Sequence, residues 1–138
     1  MDEKLLLSLQ VVHGARYWPS ARFCAAESGI TICSKPPPVC IAVLIETGSA
    51  REYVGSVGAV EHDHLLMFEW FVLNRHLSAR VRHAGAVRMM LAGMDYAAAV
   101  GKRTTIVVDR RRGGTGIKAI CKRLGFALHN EALEVLEG

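Results

Sequence analysis

The order of hydrophobic patterns in the second half of the chain constrains the fold most. Residues 65–73, Leu-Leu-Met-Phe-Glu-Trp-Phe-Val-Leu, are the strongest strand pattern in the sequence, rich in aromatic and apolar side chains. Residues 79–100 then place Val81, Ala84, Val87, Leu91, Met94 and Ala98 at steps of three and four, the apolar stripe of an amphipathic helix. Gly101 ends that helix, and residues 104–108, Thr-Thr-Ile-Val-Val, read as a buried strand. Strand, helix, strand is a β-α-β crossover, and its two strands become parallel neighbours in one sheet. The unit commits the chain to an α/β architecture.

The flanking segments extend that sheet. Residues 39–46 and 53–60 are strand patterns, with turn chemistry at Gly48-Ser49 and His62-Asp63. Connections this short make the strands 39–46, 53–60 and 65–73 an antiparallel meander. Residues 5–12 are apolar enough for a further strand. Residues 15–28 fit a helix with Pro19 near its start, and Lys35-Pro36-Pro37-Pro38 is a rigid connector. Downstream, residues 116–124 form a second helix pattern ended by Gly125, and 126–128 and 133–136 suit two closing strands. A chain of 138 residues without repeats or a linker is expected to be a single α+β domain with a mixed sheet over 1–138.

Composition narrows the chemistry. With 51% apolar and 22% charged residues, the chain is an ordinary globular sequence rather than a disordered one. No apolar run reaches the roughly 18–20 residues of a membrane span, and the start, Asp2-Glu3-Lys4, lacks the basic region of a secretory leader. Cys24, Cys33, Cys40 and Cys121 form no C-x-x-C pair and suit free thiols in a reducing cytoplasm. His62 and His64 are the only close histidine pair and read as solvated residues at a turn, so no metal site is expected. Charge is strongly polarised. Residues 1–74 carry five basic and eight acidic side chains, whereas residues 75–123 carry twelve basic and only Asp95 and Asp109 as acids. Such an excess points to an anionic partner: a polyphosphate cofactor, a nucleic acid or an acidic protein surface.

The element order, closed by Lys122-Arg123-Leu124-Gly125-Phe126, resembles the GCN5-related N-acetyltransferase (GNAT) superfamily over residues 39–130. The spacing from Trp70-Phe71-Val72 to Leu124-Gly125 is most similar to the small GNAT-like proteins of T7-like phages, an internal virion protein among them. The resemblance implies a GNAT-like fold, acetyl-CoA as cofactor and transfer of acetyl to a primary amine on a small molecule or protein. It also implies a phage setting, either host cytoplasm or virion.

Site residues follow from the resemblance. The family's pyrophosphate loop, R/Q-x-x-G-x-G/A, matches Arg82-His83-Ala84-Gly85-Ala86-Val87 at Arg82 and Gly85 only, which nominates Arg82, Ala84, Gly85 and Ala86. Arg75-x-x-Ser78-x-Arg80 is a second register and adds Arg80. Amides at a helix start favour a phosphate in either case. Phe71 and Val72 take the place of the strand that pairs with the pantetheine arm. Glu69, the only acid in its strand, is the candidate general base, with Glu61 and Asp63 as alternatives near a turn. Counting back from Gly125, the family's Asn falls on Gly114 and its proton-donating Tyr on Cys121, so both usual side chains are replaced. Cys121 is then either a substitute proton donor or a core residue. Residues 110–116, Arg-Arg-Arg-Gly-Gly-Thr-Gly, suit a phosphate or an RNA backbone but are no Walker loop. Two functions are thus on the table. One is an acetyl-CoA-dependent N-acetyltransferase. The other is a catalytically degenerate GNAT-like module, a phage virion or host-interaction protein, that binds protein or nucleic acid through its basic face.

Overall fold

A computed structural model describes residues 3–107, 115–129 and 132–135. The elements run α1 (Glu3–Ser8), β1 (Leu9–His13), α2 (Trp18–Glu27), β2 (Val39–Thr47), β3 (Ala50–Glu61), β4 (Leu65–Leu73), α3 (Ala79–Ala99), β5 (Arg103–Val107), α4 (Thr115–Arg123), β6 (Phe126–His129) and β7 (Ala132–Val135). The strands form one seven-stranded sheet in the order β1-β2-β3-β4-β5-β7-β6. Only β4 and β5 pair in parallel, and every other neighbour is antiparallel. Meander, crossover helix, parallel strand, helix and closing hairpin make this a GNAT-like α+β fold. No described helix is long and apolar enough to cross a membrane.

Two cores sit on opposite faces of the sheet. Under α3 lie Ile41, Val43, Val57, Leu66, Phe68, Met89, Met90 and Ile106. Under α2 lie Trp18, Ala21, Cys24, Cys40 and Val72, with Trp70 packed against them. The Trp18 indole N–H donates to the carbonyl of Cys33 at 2.9 Å, so its ring is buried without stranding its polar atom. Gly58 makes room for this ring. A Cβ there would stand 2.6 Å from Pro37 Cγ and 3.0 Å from the indole.

Two expectations change. Residues 5–8 are helical rather than extended: Leu5 and Leu6 turn onto the α3 core, Leu7 points to solvent, and Ser8 Oγ donates to the Leu5 carbonyl at 2.7 Å. The buried face of α3 is also rotated from the expected stripe. It consists of Ala84, Gly85, Ala86, Met89, Met90, Ala92, Gly93 and Ala97, while Ala98 is exposed. The cause is close approach. A Cβ at Gly85 would lie 2.4 Å from Val54 Cγ1, and one at Gly93 would lie 2.4 Å from Phe68 Cζ. Small residues select the contact face because they let the helix axis down onto the strands, which a stripe of large side chains would prevent.

Gly101, at φ +69°, takes the left-handed conformation that ends α3, and the N–H of Lys102 returns to the Ala97 carbonyl at 2.8 Å.

Replacing Gly85 by alanine is expected to destabilise the fold by about 1–3 kcal/mol through overpacking, despite the helix-propensity gain of about 1 kcal/mol. In urea denaturation, Val54→Ala should recover part of the loss in the double variant. A stabilised Gly85→Ala protein would contradict the packing.

Candidate functional site

The site begins at an irregularity in β4. Strand β3 pairs Gly58 with Trp70 and Ala59 with Phe68, so Glu69 is an extra residue, a β-bulge. The bulge reverses which side chains face which core. Before it, Leu66 and Phe68 point to the α3 side; after it, Phe71 and Leu73 do, and Trp70 and Val72 turn to the α2 side. At the same level the described β4–β5 pairing ends. It runs in parallel from Leu65–Arg103 to Phe68–Ile106, and on its other edge Val107 pairs with Ala132 of β7. Among the described residues, 69–73 of β4 are therefore paired on the β3 side alone. Val107, which would have faced Glu69, is 43% exposed at its edge.

After β4, the loop 74–78 leads into α3. Asn74 organises it: its N–H donates to the Val54 carbonyl at 2.8 Å, its amide Nδ2 to the Tyr53 carbonyl at 3.0 Å, and its Oδ1 accepts the His76 N–H at 3.1 Å. Ser78 caps the helix, with Oγ accepting the Val81 N–H at 3.3 Å. The first turn of α3 thus presents its positive end near Arg75, Arg80 and Arg82 in sequence. The Nε of Arg82 is buried and has no hydrogen-bond partner, an unmet donor.

This geometry sorts the sequence candidates. Glu69, Phe71 and Val72 line up along β4 from the bulge onward, Glu69 and Phe71 half-buried and Val72 buried. Arg80 and Arg82 stand on the opening of α3. Ala84, Gly85 and Ala86 are corrected: they lie inside α3, buried on the sheet, with Gly85 against Val54. Their smallness serves packing. Cys121 is also corrected as a proton donor. It is wholly buried in the α3 core, and burial pushes its thiol up to about 12, so no ligand reaches it without movement of the core. Gly114 and the arginine-rich turn before it lie outside the described residues. Asn74 and His76 escaped the sequence reading, although a polar residue closing a strong strand shortly before the Ser78 cap is a readable loop signal.

Glu61, the alternative base, is committed elsewhere. It accepts from the Tyr96 hydroxyl at 2.5 Å and pairs with Lys102 Nζ at 3.1 Å, tying the end of α3 to the β3–β4 turn. The Tyr96 hydroxyl first, and Lys102 second, hold its carboxyl below the usual carboxylate range. Asp63 is exposed in that turn.

No protein-family model matches the chain. No curated protein matches its sequence. Among solved structures, a domain from Methanocaldococcus jannaschii superposes with a TM-score of 0.57 over 91% of this chain and 96% of that one, at 13% identity. A mutant of the AtaT toxin, bound to the C-terminus of the antitoxin AtaR and to acetyl-CoA, aligns with a TM-score of 0.48 at 12% identity over 92% of each chain. The first likeness concerns the fold alone, and the second is too distant to bear on the site.

Two outcomes follow. Burial holds the Cys121 thiol well above its ordinary range, and the side chain is out of reach of solvent. Native alkylation followed by mass mapping should therefore leave Cys121 unmodified while the half-buried Cys33 reacts; equal labelling would contradict the burial. Because the Glu61 carboxyl is held low in the fold, its stabilising contribution is complete at neutral pH and disappears as pH falls through and below the carboxylate range. Denaturation at stepped pH should show Tyr96→Phe weaker than the parent at pH 7, with the gap closing in acid. A gap independent of pH would contradict it.

Proposed function

We propose that the chain is an acetyl-CoA-dependent N-acetyltransferase that acts on a primary amine by direct transfer. The observation that carries this reading is the end of the described β4–β5 pairing beside the Glu69 bulge. Among the described residues it leaves 69–73 of β4 without a strand partner on that side, just before the loop to the Ser78-capped N-terminus of α3.

The residues suit such a ligand. The amides of loop 75–80 and the guanidiniums of Arg80 and Arg82 would hold the pyrophosphate, with Arg82 Nε gaining the acceptor it lacks. Main-chain groups of residues 70–72 would pair with the pantetheine arm as an added strand does. The bound thioester supplies an activated acetyl carbonyl. Glu69 would take the proton from the attacking amine, directly or through a water, as the C–N bond forms and the C–S bond breaks. Holding both reactants in one site replaces a bimolecular encounter. With Cys121 sealed in the core, the departing thiolate takes its proton from solvent.

That same burial favours a second reading, a GNAT-like module without catalysis that uses the basic residues of 75–123 to bind an acidic protein or nucleic acid, in a phage particle or its host. Nucleic-acid affinity falling steeply with salt, without any cofactor affinity, would select it.

Calorimetry with acetyl-CoA and CoA, together with acetyl transfer to a panel of primary amines, tests the enzyme reading. Arg82→Ala should weaken CoA binding by about tenfold or more. Glu69→Gln should leave binding intact and slow transfer by about a hundredfold. Absence of binding at millimolar cofactor would refute it.

A further inference from the structure

The loop that opens α3 is fastened to the opposite layer of the molecule by one side-chain pair. His76 Nε2 lies 2.6 Å from Glu27 Oε2, at the last residue of α2. The partners are 49 residues apart in sequence. Glu27 is the more enclosed of the two, its side chain 24% exposed against 62% for His76. Both border a cleft of about 540 Å³ that runs along α2 and is also lined by Phe23, Cys24, Glu52 and Tyr53. The backbone of His76 is held by Asn74 Oδ1, and Asn74 is held by Tyr53 and Val54 of β3. Loop 74–78 is therefore clamped twice: at its start by fixed amide bonds to β3, and at its middle by an imidazole–carboxylate contact to α2.

We propose that Glu27 and His76 are positioning residues that set the cofactor-binding loop and make its hold on an anionic ligand depend on the protonation of His76. This rests on the reading of residues 75–80 as the phosphate-binding segment. With imidazole protonated, the contact is an ion pair with a charge-assisted hydrogen bond; with imidazole neutral, only the hydrogen bond remains. The other charged or titratable groups lining the cleft around the pair are Cys24 on α2 and Arg51, Glu52 and Tyr53 on β3. Arg51 is engaged with Glu46 at 3.5 Å. The nearest cation on the loop itself is Arg75. Glu27 is thus the carboxylate that answers the imidazole charge. A loop already held in place loses less freedom when a ligand binds, so the clamp raises affinity without touching the ligand. The pair is solvent-accessible, so the effect is bounded at about two- to fivefold.

The test compares the parent protein with Glu27→Gln and His76→Gln at pH 6 and pH 8. Amide exchange of residues 74–80 is read in the unliganded protein, corrected for intrinsic rates, and CoA affinity is read by calorimetry. The phosphates of CoA titrate equally for all three proteins, so the parent-to-variant ratio isolates the clamp. Expected is a parent loop better protected at pH 6 than at pH 8, with both variants indifferent to pH. The parent's affinity advantage should be about two- to fivefold at pH 6 and shrink at pH 8. Variants that keep the parent's pH dependence in exchange would overturn the proposal. If none of the proteins binds CoA, the cofactor reading falls, and the exchange arm alone decides whether the clamp exists.

Discussion

The bulge in β4 at Glu69 is the constraint on which the rest of the site depends. Up to Phe68–Ile106, β4 and β5 pair as any crossover unit requires. One residue later Glu69 bulges from β4 and the described β4–β5 pairing ends, while the other edge of β5 stays paired with β7 from Thr105 to Val107. A bulge raises local twist and re-aims side chains. Here it changes the face of every later residue on β4, so that Trp70 edges onto Trp18 at a centroid distance of 6.4 Å while Phe71 remains with the α3 core. The parity switch lets one strand fill both cores.

Packing fixes the helix that follows β4. Gly85 and Gly93 bring α3 within contact of Val54 and Phe68, from strands β3 and β4. Val54 lies opposite a register shift between β2 and β3, and its carbonyl holds the N–H of Asn74. One bulged valine thus meets the helix through its side chain and the preceding loop through its backbone. The helix N-terminus, the loop and the open strand are parts of one packed unit, and the orphaned Nε of Arg82 is the polar group this packing leaves unanswered.

Periodicity made the elements legible. β4, α3, β5 and the closing hairpin stand where alternation, a helical stripe and Gly125 place them, and the crossover rule supplied the parallel pair. What sequence could not supply was register. Glu69 looked like one acid in an apolar strand because a bulge is a property of the pairing with β3, not of residues 65–73 alone. Gly85 looked like a phosphate-loop glycine because the same smallness serves a ligand in a loop and a valine beneath a helix; only the position of the Ser78 cap separates the two. Leu5, Leu6 and Leu7 gave no alternation to tell helix from strand, and contact with α3 decided it. Cys121 stood at a position that the family uses for chemistry, and its complete burial assigns it to the core instead.

If β4 beyond its bulge and the start of α3 hold one ligand, as proposed, backbone amide chemical shifts recorded during a CoA titration show it most directly. Shifts are expected to concentrate at residues 70–72 of β4 and 75–82 at the opening of α3, with little change along β1 and β2. Shifts confined to other surfaces, or a spectrum unchanged at millimolar CoA, would contradict it.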